Sequence, residues 1–156
     1  MKIIYHCYGG SHSSVTAAAL HLKMLDNSRL PTGKELMKIP YYDKTAKDDF
    51  GSIRFMGTDE FGNDVYVLGK KSLGDRFSNV LMGVARMLGA EDQILVVNCM
   101  NRVNWSMKLG GFTSRQLGFP LLGRPVVTYG TQRAFMRITN LVEITRLKAL
   151  KQCSKL

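Results

Sequence analysis

Seven positions near the start of the chain gather side chains that could do chemistry: Cys7, Gly9, Gly10, Ser11, His12, Ser13 and Ser14. Adjacent glycines reach φ > 0 and let a ligand approach the backbone. The serines offer hydroxyls and N-caps, and the unpaired amides that open a helix favour an anion. The set suits a phosphate group. His12 is the best catalytic candidate, as a phosphate contact or an acid–base group.

Three readings of this run stay open. It can be a tight turn with a capping serine and a buried cysteine. It can be an anion site. It can carry a cysteine nucleophile, since a thiol near a helix N-terminus can have a lowered pKa, although the arginine that a phosphatase cysteine requires is replaced by Ser13. The spacing is neither the G-x-x-x-x-G-K-[ST] of a Walker A loop nor G-x-G-x-x-G. A metal site from His6, Cys7, His12 and Cys99 lacks any paired ligand spacing, so no metal is expected, and no cofactor is indicated.

The elements that must hold this run are short. Lys2-Ile3-Ile4-Tyr5 reads as a buried strand, and Val15 to Leu22 begins a helix that ends near Asp26-Asn27. Strand, glycine turn and helix place the serines at the carboxyl end of a strand.

The run YHCYGGSHSSVTAAALHL resembles the opening of a family from endospore-forming Firmicutes designated domain of unknown function 3189. Gly57 to Gly69, and Gly110-Gly111-Phe112 to Gly123-Arg124-Pro125, are similar to it too. The resemblance implies a bacterial cytoplasmic protein linked to sporulation, and it brings no catalytic residues to carry over.

The 156 residues suit a single domain, residues 1–156, with no repeat or linker. No apolar run approaches the ~18 residues of a membrane span, and no signal-peptide h-region is evident. A cytoplasmic protein with no membrane partner is expected. Three cysteines at wide spacing argue against a disulfide framework. Cys7 and Cys99, each ending a strand, are expected to be buried, and Cys153 to be reactive. Residues 1–100 hold 12 Lys and Arg against 11 acids, whereas residues 101–156 hold 10 against Glu143 alone. That imbalance points to an acidic partner.

Along the chain, Pro31 and Pro40 bracket a short helix, and residues 41–49 read as an exposed polar loop, with Tyr41 and Tyr42 as a lid over the core. Residues 52–57 and 64–69 form a hairpin, with 65–68 inside the sheet and 53–56 at its edge. Phe77, Val80, Leu81, Val84, Ala85 and Leu88 make the buried face of a helix, and residues 93–99 a buried strand. Residues 100–124 form a long glycine-rich connection with helical pieces near Trp105 and Ser114. Residues 125–129 are expected to be the last strand, ahead of a closing helix whose Arg133, Arg137 and Asn140 share a polar side.

The fold class is α/β, with three layers and a mostly parallel sheet carrying an antiparallel hairpin edge. P-loop-like and Rossmann-like orders are the two candidates. Ligands in such sheets sit beyond the carboxyl ends of the strands. That rule brings Gly9, Gly10, Ser11, His12, Ser13, Ser14, Asn98, Asn101, Arg102, Thr131, Gln132 and Arg133 toward one crevice, with no carboxylate base among them. The expected function is binding of a phosphorylated small molecule or nucleotide. The alternative is a non-catalytic interaction protein that docks an acidic protein partner through its basic last third. Nucleic acid is disfavoured, because no helix-turn-helix, zinc finger or aromatic RNA motif accompanies the basic residues.

Overall fold

The computed structural model describes residues 1–74, 76–102 and 120–153. Eight regular elements follow in order: β1 (Lys2–Cys7), α1 (Ser13–His21), α2 (Gly33–Lys38), β2 (Ile53–Thr58), β3 (Asp64–Gly69), α3 (Phe77–Met87), β4 (Ile94–Asn98) and α4 (Pro120–Cys153).

The strands form a sheet of order β2-β3-β1-β4. β1 pairs in parallel with both β3 and β4, with Ile4 opposite Tyr66 and Val96. Only β2, at the edge, is antiparallel, and its register shifts between Phe55 and Gly57. The chain leaves β1 toward β3 on one side and returns through α3 to β4 on the other. The strand order therefore reverses at β1.

Alternation along β1 shows which helix covers which face. Tyr5 and Cys7 reach α1 through His21 and Ser14. His6 points the other way, to Ser78 at 3.0 Å and to the Phe77 ring. The sheet thus lies between α1 and α3, with α4 packed outside α1.

Every residue of α1 is buried. Ala17, Ala18 and Ala19 keep its surface low, so the sheet and α4 can approach from opposite sides. α2 starts on a capping box, with the Thr32 and Glu35 side chains each bonded to the other's backbone amide. Arg29 and the Thr32 amide and hydroxyl hold the Glu35 carboxyl at about 2.

Four expectations need correction. Residues 125–129 are helical and belong to α4, as do 120–124. Buried Val127, Thr131, Ala134, Phe135, Ile138, Val142, Thr145 and Ala149 recur every three or four residues and form one unbroken stripe. That periodicity overrides the β propensity of the Val126-Val127-Thr128 run, and the helix tolerates Pro125 within its second turn. In α3 the sides are misjudged: Ala85 is buried, but Val80, Val84 and Leu88 are exposed. Residues 41–49 are no exposed loop, because Tyr42, Asp43 and Thr45 are buried. Tyr42 does sit in the core, as expected of a lid residue. α1 also stops at His21, five residues short of Asp26, with Lys23 left-handed at φ 57°. The helical pieces expected near Trp105 and Ser114 lie outside the described residues.

Among the described residues, no helix is long and apolar enough to cross a membrane.

Candidate functional site at the β1–α1 loop

The loop takes its shape from backbone packing. Gly10 adopts φ 61°, and a Cβ there would lie 2.5 Å from the Gly69 amide nitrogen. A Cβ on Gly69 would in turn lie 2.8 Å from the Gly9 carbonyl oxygen. The ends of β1 and β3 therefore touch backbone to backbone, locked by Lys70 N–H to Cys7 O at 2.9 Å and Lys71 N–H to Tyr8 O at 2.8 Å.

Loop carbonyls face a collar built by residues 41–54. Arg54 donates to Gly10 O at 2.6 Å and to Thr45 Oγ1 at 3.0 Å, with its guanidinium over the Tyr41 ring. Asp43 N–H donates to Ser11 O at 3.1 Å. Tyr41 and Asp43 take left-handed φ of 63° and 50° to wrap the loop.

The loop's donors turn the opposite way, onto sulfur. Gly10 N–H reaches Cys7 Sγ at 3.2 Å, and Ser14 Oγ lies 3.2 Å from the same atom. Burial pushes the thiol up, but the donors of Ser14, Ser13 and Ser11 outweigh it and hold Cys7 below the ordinary thiol value. The Ser13 hydroxyl faces the sulfur without closing a hydrogen bond of ordinary geometry. Ser11 Oγ is buried as well, with no partner among the described residues.

His12 sits at the N-cap of α1, its side chain 13% exposed, and makes no capping bond. Its Nε2 is 3.1 Å from Asp43 Oδ1, and Arg124 Nε is 3.1 Å from Asp43 Oδ2. The buried Asp43 carboxylate thus bridges an imidazole and a guanidinium. The His12 ring also stands edge-on to Tyr42, whose hydroxyl pairs with Thr131 Oγ1 at 2.8 Å.

The expected crevice is only partly assembled. Gly9, Gly10, Ser11, His12, Ser13 and Ser14 share the loop, and the end of β4 lies beside it: Cys99 N–H donates to His6 O, and Tyr8 N–H contacts Met100 Sδ at 3.1 Å. Asn98 uses its Oδ1 to cap the following turn through Met100 N–H, while Asn101 is exposed. The Arg102 side chain lies outside the described residues. With no strand at 125–129, the last segment does not arrive as expected. Thr131 stands behind Tyr42, Gln132 donates to Pro31 O at 2.8 Å, and exposed Arg133 lies over the Tyr129 ring.

Asp43, Thr45, Arg54 and Arg124 take the place of that segment. No sequence signal separates a buried aspartate within Tyr42-Asp43-Lys44 from a solvated one. Arg54 sits one residue into an edge strand, where arginine is ordinary. Cys7 and Cys99 are both buried, as expected; the Cys153 side chain lies outside the described residues. His6 points to the α3 face of the sheet, away from Cys7, which divides the four metal ligands considered above. Among the described residues no three His, Cys, Asp or Glu side chains converge as a metal site.

The fold and site define a mixed α/β protein whose distinguishing feature is a thiol- and serine-lined loop at the end of a central strand. The chain belongs to the family described as protein of unknown function (DUF3189), whose model matches residues 2–147. No curated protein and no solved structure matches it.

Proposed function

We propose that the β1–α1 loop binds the phosphate group of a small molecule or nucleotide in a cytoplasmic bacterial protein. The observation that carries this reading is the buried hydroxyl of Ser11, which has no partner among the described residues, beside that of Ser13, which faces only the Cys7 sulfur. A buried hydroxyl without a partner costs about 1–3 kcal/mol, so Ser11 calls for an acceptor that the described residues do not provide. Phosphate oxygens are such acceptors, and the uncapped first turn of α1 adds amides and its positive dipole end.

The sheet order supports the placement. Among the described strands β2 alone is antiparallel, and the loop follows the strand where the order β2-β3-β1-β4 reverses, the usual ligand position in open α/β sheets. His12, oriented by Asp43, is the side chain assigned to contact the anion.

The test is a thermal-shift series with inorganic phosphate, pyrophosphate and nucleotides. A ligand at a hundredfold excess over its dissociation constant should stabilise the fold by about 2.7 kcal/mol. His12→Ala should reduce the shift in a chain that still folds. No shift with any phosphate in a folded sample contradicts the reading and favours docking of an acidic protein partner.

A further inference from the structure

We infer that Cys7 is a nucleophile toward phosphorus: its Sγ, cradled by Gly10 N–H and Ser14 Oγ, takes the phosphoryl group of a phosphate monoester bound in the loop. This rests on the anion-site reading above and names the chemistry of that site.

The sulfur sits in an environment foreign to a core thiol. A buried structural cysteine is surrounded by apolar atoms and stays protonated. Cys7 instead accepts from an amide and a hydroxyl, each at 3.2 Å. The Ser13 hydroxyl faces it as a third donor, and the Ser11 hydroxyl lies buried in the same loop with no partner among the described residues. The first three donors stabilise a thiolate, and Ser11 is available to oxygens held above it. The lowered pKa of the thiol agrees with this geometry. Cys99, the neighbouring strand-end cysteine, makes a weak contact with a carbonyl, Val97 O at 3.9 Å.

The step is balanced without a further reactant. The Cys7 thiolate lone pair forms an S–P bond while the P–O bond to the leaving group breaks, and its electron pair departs on that oxygen. From an aryl phosphate the leaving group is an aryloxide, which needs no protein acid. Phosphoryl oxygens are then held by loop amides and the Ser11 hydroxyl. With Ser13 where an arginine would add a full positive charge, the transition state is less strongly stabilised and turnover is slow.

The experiment uses the full chain and an aryl phosphate. Inorganic phosphate binding is measured first, by calorimetry, on native protein and Cys7→Ser. Native protein is then incubated with the aryl phosphate, quenched without acid, and mapped by mass spectrometry, while thiol alkylation is followed against pH. The expected result is phosphate binding, one phosphoryl group on the Cys7 peptide, and an alkylation midpoint below that of an ordinary thiol, raised again in Ser14→Ala. Failure of phosphate to bind overturns the anion site and this inference together. Phosphate binding with no label on Cys7 while the aryl phosphate occupies the loop overturns the nucleophile and leaves the anion site standing. Because labelling and titration are read on the native chain, a poorly folded variant does not blunt the test.

Discussion

α1 carries a histidine–aspartate pair at each end, and the two differ in kind. At its C-terminus, His21 Nε2 lies 3.0 Å from Asp59 Oδ2 and His21 Nδ1 lies 2.8 Å from the Tyr5 hydroxyl, all buried. Donors from Asn63, His21 and Phe61 N–H outweigh the effect of burial and keep Asp59 below the usual carboxylate range. Asp59 is therefore an acceptor, Nε2 carries the hydrogen, and Tyr5 donates to Nδ1. Every polar atom of that chain is matched, and Arg146 closes it by donating to His21 O at 2.8 Å and pairing with Glu60. At the N-terminus, His12 is partly exposed, and among the described residues its Nδ1 has no protein partner. Among the same residues the nearby Ser11 hydroxyl is unmatched as well.

The contrast separates a closed network from an open one. A fully satisfied buried network fixes the hairpin turn to α1 and has no capacity left for a ligand. A network with unmatched donors beside a rigid loop is prepared for something outside the chain. Rigidity also has different sources at the two ends: backbone contact between Gly10 and Gly69 at the loop, side-chain hydrogen bonds at His21.

Substitutions can break each end separately. The largest effect is expected from Gly10→Val, which puts a β-branched residue at φ 61° and a carbon against the Gly69 backbone. Strain alone costs about 1–3 kcal/mol, and the overlap adds to it, so loss of a cooperative melt is the expected result. A native-like melt would show that the loop can open. Next is His21→Ala, which leaves the Tyr5 hydroxyl without its acceptor, takes one donor from Asp59 and opens a cavity beside α1. A loss of about 2–5 kcal/mol in denaturant unfolding is expected. Asp43→Ala should cost less, about 1–3 kcal/mol, because Arg124 is half-exposed and can turn to water.

Acid should act mainly through the closed end. Burial lowers the His21 pKa more than Asp59 restores it, so the folded chain holds that proton less tightly than the unfolded chain. Below the ordinary histidine value near 6.5 the unfolded state binds more protons, and stability falls as pH drops toward the depressed native value. Urea midpoints measured between pH 7.5 and 5 should decline for the native protein and flatten in His21→Gln. Equal slopes would show that other groups set the decline.

The strands and the glycine loop are easier to read in the sequence than the side-chain networks at either end of α1. β1, the hairpin, β4 and the Gly9–Ser14 loop announce themselves through apolar runs and glycines, which act over a few residues. The start of α4 reads as a strand because four β-prone residues, Val126 to Tyr129, outweigh a stripe that shows itself only over about six turns, Val127 to Ala149. The collar of Asp43, Thr45 and Arg54 depends on left-handed turns at Tyr41 and Asp43, which neither residue type foretells. The basic residues late in the chain point to an acidic partner by charge alone, and the sequence does not show that Arg124 and Arg146 pair with Asp43 and Glu60 from its first half.

Amide chemical shifts under titration with inorganic phosphate test the central claim most directly. The account predicts saturable shifts confined to Tyr8–Ser14 and the adjoining Asp43–Thr45 turn, weakened in His12→Ala, with the His21, Asp59 and Tyr5 signals unmoved. Shifts absent from the loop, or centred on the His21 end of α1, would contradict it.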